Sequence, residues 1–456
     1  MKKILALIVI ITLSVYFLAG CSKKSEIDLS KVPNYLKEIY STLTSESIKV
    51  NYNPYVGDDI KMVSHEMTLK LQEKLQKDKF PSSWIKGKIE LPADEPVEAS
   101  FMLGSKSSYV LTRKRVFAGV DYKNILNLYK IEGGIPSFLE ILDKAPNKQN
   151  ASGGIAGNFS PQINGNFVVW LATPDVNVGV GRYHIWAYSI SKREFFEVTS
   201  FKDSPWPNGC ILDDVCDPLY HLYPGDKLLV QTVFEDTESK LFFTRIKLYD
   251  LNTKKDETLV LSKDYNYIVE IYGYNSALAN DTLFVTRCKL YQTVEENKKF
   301  ASYTDIANRE VVQINLKTKQ VSPFIPKHFI VYESSKDRIL LVAFDPNYAY
   351  HDVWLYNLKD KTLDCVLKVP VGQIKDKEDY FMLTPKIDLL NKGLIYFRGG
   401  WNSIIPGYYF SFAKKKLFYV GNFIPSFDGN YFLVYDETTG NQPPEEKISY
   451  LLIQPE

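Results

Sequence analysis

The sequence predicts an all-β chain, a β-propeller of seven four-stranded blades preceded by a short helical N-terminal segment. Three observations predict it. One pattern recurs along the chain: a strand-like apolar run, a connection, a second strand, a tight charged turn and a third strand. The apolar runs are evenly spaced, with Val110, Val168, Leu228, Leu283, Leu340 and Leu394 at matching positions, 54 to 60 residues apart, and Phe432 opening a seventh 38 residues on. Aromatic residues make up 14% of the chain, including 31 tyrosines, enough for a large core and favourable to strands.

From the N-terminus, Lys2 and Lys3 precede an apolar run from Ile4 to Leu18, then the small residues Ala19 and Gly20, then Cys21. This order of charged, apolar and small residues is that of an exported chain's leader. "LAGC" (18–21) resembles the lipobox of a bacterial lipoprotein signal. The resemblance implies that residues 1–20 are removed and that the Cys21 thiol carries a diacylglycerol. The mature chain is then membrane-anchored and extracytoplasmic, because two or more acyl chains hold stably where one does not. An uncleaved membrane helix is the alternative, the run being near the lower length for a span. Residues 21–31 read as a tether.

Residues 32–85 read as a helical segment. "VPNYLKEIYSTL" (32–43) gathers Val32, Tyr35, Leu36, Ile39, Tyr40 and Leu43 on one helical face, and "MVSHEMTLKLQEKLQKD" (62–78) aligns Val63, Met67, Leu71 and Leu75. The propeller is expected over 86–456. Its hairpins read as 124–141, 184–198, 245–261, 310–325, 352–367 and 407–421. After Phe432 the chain offers two more strands, "YFLVYDE" and "KISYLLIQ", with no outer strand to follow. "KGKIELP" (86–92) precedes the first blade without a partner of its own, and pairing it to the last blade closes the ring and removes an edge. A period in the fifties exceeds that of WD40 and kelch repeats. "IPSFDGNYFLVY" (424–435) and "FSPQINGNFVVW" (159–170) resemble the turn-plus-strand of TolB-type propeller repeats, a resemblance that concerns architecture rather than activity.

Charge narrows the partners. Losing Lys2 and Lys3 takes the basic residues from 55 to 53 against 54 acidic, a balance that argues against nucleic acid and against a polybasic membrane patch. With Cys21 lipidated, four cysteines remain. Cys210 and Cys216 bracket "ILDDV", and in an oxidising compartment a local disulfide is the natural reading. Cys288 and Cys365 lie in apolar strand-like runs and read as inert core residues. Asp213, Asp214 and Asp217 with His221 read as a solvated acidic loop, with cation binding as the alternative.

Catalytic motifs are sought without success. His65-Glu66 begins an H-E-x-x-H zinc pattern, but Leu69 stands where the second histidine belongs. No G-x-S-x-G occurs, and the glycine-rich stretch 153–157 lacks the Lys-Ser/Thr of a phosphate loop. No metal or cofactor is expected.

Geometry is more informative. The turns joining third to fourth strands are short and charged: "SKRE", "NTKKD", "KTKQ", "KDKT" and "AKKK". On the opposite face the connections are long and aromatic: 172–183, 201–221, 289–310, 344–351 and 398–409. Function gathers on loops held by a rigid scaffold. Trp206, Tyr220, His221, Tyr291, Tyr303, Tyr348, Tyr350, His351 and Trp401 are therefore the candidate ligand-binding residues. The expected function is a non-catalytic binding or scaffolding module for a protein, peptide or glycan. The alternative is a propeller-type lyase or glycosidase with its site at the channel mouth, which requires converging carboxylates or histidines. The sequence offers five histidines in all and no recurring acid at inner-strand positions.

Overall fold

The second strands of several repeats hold continuous apolar runs, as in "FVVWLA" and "ILLVAF". Such a run fits a strand covered on both faces, where alternate side chains enter two different cores. The computed structural model describes residues 37, 48–56, 80–102, 108–117, 122–145, 157–173, 183–200, 219–236, 239–268, 276–290, 292, 309–325, 329–335, 337–344, 350–370, 382–387, 393–399, 407–421, 423–425, 432–435 and 447–454.

Two strands precede the repeats, β1 (Lys49–Val56) and β2 (Ile85–Pro92). Unit 1 comprises β3 (Val97–Met102), β4 (Ser108–Phe117), β5 (Tyr122–Glu132) and β6 (Ile135–Leu142). Unit 2 comprises β7 (Gly157–Asn164), β8 (Phe167–Thr173), β9 (His184–Ser189) and β10 (Glu194–Ser200). Unit 3 comprises β11 (Leu219–Tyr223), β12 (Lys227–Glu235), β13 (Phe242–Asp250) and β14 (Lys255–Ser262). In unit 4 the innermost strand is split into β15 (Tyr265–Ile268) and β16 (Ser276–Ala279), both paired to β17 (Thr282–Lys289) and followed by β18 (Glu310–Asn315) and β19 (Val321–Ile325). Unit 5 comprises β20 (Phe329–Ser335), β21 (Arg338–Phe344), β22 (Tyr350–Asn357) and β23 (Thr362–Pro370). Unit 6 comprises β24 (Met382–Ile387), β25 (Gly393–Gly399), β26 (Gly407–Ser411) and β27 (Lys416–Gly421). Unit 7 has β28 (Phe423–Pro425), β29 (Phe432–Tyr435) and β30 (Lys447–Ile453), and its outer strand is β2, antiparallel to β30 with Ile89 opposite Tyr450 and Leu91 opposite Ile448. Each unit is an antiparallel meander, and the fold is a β-propeller.

The cores lie between units, and they run in a circle. Leu111 and Leu126 of unit 1 meet Val168 and Trp170 of unit 2. Phe167 and Val169, alternating with them on β8, face the other way and meet Leu228 and Val230 of unit 3. Units 3 and 4 join through Leu229, Ile246, Leu283 and Val312, and units 4 and 5 through Phe284, Phe324, Leu341 and Trp354. Leu340 and Val342 turn to Tyr408 and Phe410 of unit 6, whose Tyr409 and Phe418 meet Val434, Ile453 and Trp84. Ile89, Leu91 and Tyr450 of unit 7 then pack on Met102, Val110 and Ile131 of unit 1. The last cluster returns to the first unit, so the ring is closed. Units 1 and 2 approach so closely that a Cβ on Gly157 would stand 2.8 Å from Asn124 Cβ, where the two strands touch in parallel.

A shared turn explains the charged third-to-fourth connections. The last residue of the third strand is Ser189, Asp250, Asn315, Asn357 or Ser411, and its side-chain oxygen accepts a backbone N–H two or three residues on. Four residues after it stand Arg193, Lys254, Lys319, Lys361 and Lys415, each at positive φ, between 46° and 61°. The apolar residue between, as in Ile190, Leu251, Leu316 and Leu358, donates its N–H to the preceding hairpin turn at Asn166, Asp226, Asp281 and Asp337. The two turns on this face of a unit are thereby tied together.

The N-terminal segment departs from expectation. Within the stretch read as helical, residues 49–56 form β1, which adds in parallel to the outer edge of β23 with Val50 opposite Leu363 and Tyr52 opposite Cys365. Ile48, Val50 and Tyr52 alternate inward onto the cluster between units 4 and 5; the two-residue period of "IKVNY" is a strand signal that the helical periodicity read in the sequence on either side obscured. Of the two amphipathic stretches, only Lys37 is described, and it is helical. Residues 1–36 and 57–79, and with them Cys21, lie outside the described residues.

Candidate functional site

The topology fixes two faces. Second strands end, and third strands begin, on the face of the long connections; the short basic turns lie on the other. On the long-loop face of unit 1, Phe117 closes β4 and Tyr122 opens β5, directly opposite each other in register. Their rings meet edge to face at 5.9 Å, yet Phe117 is 68% and Tyr122 56% exposed. An aromatic pair left in water forgoes the burial that usually stabilises it.

A second aromatic group lies on the same face at unit 4. Tyr265 stacks on the Arg287 guanidinium, 4.0 Å from ring to cation. Arg287 in turn donates to Glu310 at 2.7 Å, tying β17 to β18 at the root of the connection 290–309. Burial pushes the Tyr267 hydroxyl above its ordinary pKa, although hydrogen bonding to Arg287 opposes the rise. Beside them Asn266 Oδ1 accepts from Gln231 at 2.9 Å and from Thr244 at 3.1 Å. Gln292 accepts from Phe242 N–H at 2.7 Å and donates to Lys263 O at 2.7 Å.

The inner strands spend their polar side chains on one another. Gln162 on β7 donates to Tyr220 O at 2.9 Å and accepts from Leu222 N–H at 2.7 Å, bridging to β11. Asn164 donates to Tyr223 O at 2.5 Å, the Tyr223 hydroxyl reaches Ser276 of unit 4, and Ser334 donates to Leu278 O at 3.0 Å. These bonds stitch adjacent units around the channel. Among the described residues no group of three or more His, Cys, Asp or Glu gathers to hold a metal ion.

Of the residues singled out in the sequence, Tyr220 and His221 are described, and both are buried in β11, at 3% and 4% exposure. The Tyr220 hydroxyl donates to Ser160 O at 2.5 Å, a bond between units 2 and 3. The His221 ring packs edge-on against Tyr223 at 4.4 Å. Tyr350 and His351 open β22. Trp206, Tyr291, Tyr303, Tyr348, Trp401, Cys210, Cys216, Asp213, Asp214 and Asp217 lie outside the described residues. Neither Cys288 nor Cys365 is joined in a disulfide; Cys365 is buried, and burial raises its pKa well above the ordinary value. Phe117, Tyr122 and Tyr265 escaped the sequence reading because they flank their connections rather than lie within them, and the unit 1 hairpin is the most divergent copy.

No protein-family model matches the sequence, and no curated protein does. Solved structures with a similar backbone include TolB from Acinetobacter baumannii, at 12% identity over 76% of this chain and 81% of that one, with a TM-score of 0.36. Another is the β-propeller domain of the Trilobed protease from Pyrococcus furiosus, at 11% identity over 80% of this chain and 96% of that one, with a TM-score of 0.44. A third is an acylaminoacyl peptidase from Pyrococcus horikoshii, at 11% identity and a TM-score of 0.44; the match covers 76% of this chain and 51% of the peptidase, about half its length. None of the three bears on activity at these scores, and the propeller assignment stands on the strand pairing.

Proposed function

We propose that the chain is an extracytoplasmic lipoprotein, anchored through lipid on Cys21, whose propeller is a non-catalytic binding module. Its ligand is a protein, peptide or glycan engaged on the long-loop face. The observation that carries this reading is the exposed pair Phe117 and Tyr122, on the same face as Tyr265. Desolvating such rings against a partner supplies large contact area at low entropy cost. Trp206 and Trp401, in connections on that face, are assigned to the same surface. The inner-strand polar groups serve the ring itself, which supports binding over chemistry in the channel.

The test is a photoreactive phenylalanine analogue placed at Phe117 or Tyr122 in cells that make the protein, with Arg193 as the control position on the other face. Discrete adducts from the first two positions and none from the third are expected. With the adducted partner purified, Phe117→Ala and Tyr122→Ala should each weaken binding by more than about 1 kcal/mol. Adducts arising from Arg193 alone would place recognition on the wrong face.

A further inference from the structure

The short-turn face carries a charge that the balanced whole chain conceals. Its five repeated turns, "SKRE", "TKKDE", "KTK", "KDK" and "KKK", hold eleven basic residues against four acidic ones. The left-handed backbone at Arg193, Lys254, Lys319, Lys361 and Lys415 puts one cation at the same place in five consecutive units. Acidic neighbours partly neutralise units 3 and 4, where Lys254 meets Glu194 at 2.6 Å, Lys317 meets Asp281 at 2.8 Å and Lys319 meets Glu257. Unit 6 keeps the largest excess, three lysines with no acid in "KKK", and unit 5 has two lysines against one acid in "KDK"; the side chains of both turns are exposed.

The N-terminal chain joins the propeller at this same place. β1 begins beside the unit 5 turn, with Lys49 opposite Thr362 and the Lys49 N–H donating to Lys361 O at 3.0 Å. Because β1 is parallel to β23, it runs from the short-turn face toward the long-loop face. The described chain therefore enters the propeller at the buried Ile48 from the basic side, and Cys21 lies 27 residues upstream of that entry in sequence.

We propose that the short-turn face lies against the membrane, with the "KDK" and "KKK" turns docked on anionic lipid headgroups and the long-loop face held outward. The proposal rests on Cys21 being the lipid anchor. Clustered lysines beside a lipid anchor gain attraction from anionic headgroups within a Debye length of about 8–10 Å. The orientation deepens the functional reading, since it leaves Phe117, Tyr122 and Tyr265 facing a partner rather than the bilayer.

The test is lysine footprinting of the full-length lipidated protein with a membrane-impermeant amine reagent. It is reconstituted on phosphatidylcholine vesicles with or without about 30% phosphatidylglycerol. Reactivity at Lys361 and Lys415 should fall at least about fivefold on the anionic vesicles and return in high salt, while Lys240 and Lys263 on the long-loop face stay unchanged. Lys361→Glu with Lys415→Glu should abolish the protection of neighbouring Lys359 and Lys414. Flotation with the vesicles but no protection, or protection at Lys240 and Lys263, overturns the orientation and leaves the anchor standing. Equal flotation of wild type and Cys21→Ser overturns the anchor, and the orientation with it.

Discussion

Glu95 is a carboxylate almost wholly removed from water, 3% exposed in the connection from β2 to β3. Burial alone would raise its pKa, but hydrogen bonds from Asn127, Thr112, Tyr129 and Lys114 outweigh it and hold the pKa below the ordinary value. Thr112 and Tyr129 donate at 2.8 Å and Lys114 at 3.2 Å. Burial and Glu95 together push the Tyr129 hydroxyl up. A carboxylate whose pKa is depressed on folding stabilises the fold above its unfolded value, and that contribution is lost as pH falls through the folded one. Glu95→Gln should therefore lower stability at pH 7, with the gap to wild type narrowing below about pH 4 in denaturant titrations. A gap that is constant from pH 7 to pH 3 would contradict the role assigned to the ionised group. None of this was legible in "PADEPVE" (92–98), because the partners that bury Glu95 lie 17 to 34 residues away. Tyr220 teaches the same lesson: its place at the end of a long connection suggested a rim, but an inner strand encloses it and Ser160 takes its hydroxyl.

At the scale of elements, the repeating turn carries most of the local information. Asn315 Oδ1 accepts the N–H groups of Lys317 and Thr318, both at 2.9 Å, and Asn357 Oδ1 accepts that of Lys359 at 2.9 Å. Such side-chain acceptors replace water at turn N–H groups and fix the hairpin register. Asn315→Ala and Asn357→Ala should each cost about 1 kcal/mol by chemical denaturation. The two sites share no partners, so the double variant should cost about 2 kcal/mol. A double variant no less stable than wild type would show that the tight turns form without these acceptors. The hairpins themselves were readable from alternation and turn chemistry. The finer signal, Ser/Asp/Asn followed four residues later by Lys/Arg, was present in five turns but has meaning only once the left-handed backbone is seen. β1 was missed for a different reason, since a short strand shows its purpose only against the edge of β23 that it covers.

At the scale of the molecule, each unit buries its two faces against different neighbours, so no unit holds a complete core alone. The regular spacing of apolar runs made this architecture legible, because a repeat that cannot close on itself must stack. What joins the ends is less local. Ile89 and Leu91 of β2 lie with Leu433 and Tyr450 at one side of unit 7, and Trp84, just before β2, is buried against Tyr409 and Phe418 at the other. The ring is thus held by residues that lie before the first unit and in the last one. The most direct test combines Glu90→Cys with Ser449→Cys, at positions that stand opposite each other in the pairing of β2 with β30. In a Cys288→Ser background, mild oxidation of the folded protein should join the two introduced thiols in a disulfide in high yield, found by peptide mapping, and should raise the unfolding midpoint. Failure to form it in the native state, with both introduced thiols open to alkylation, would mean that β2 pairs elsewhere and that the ring is not closed as described.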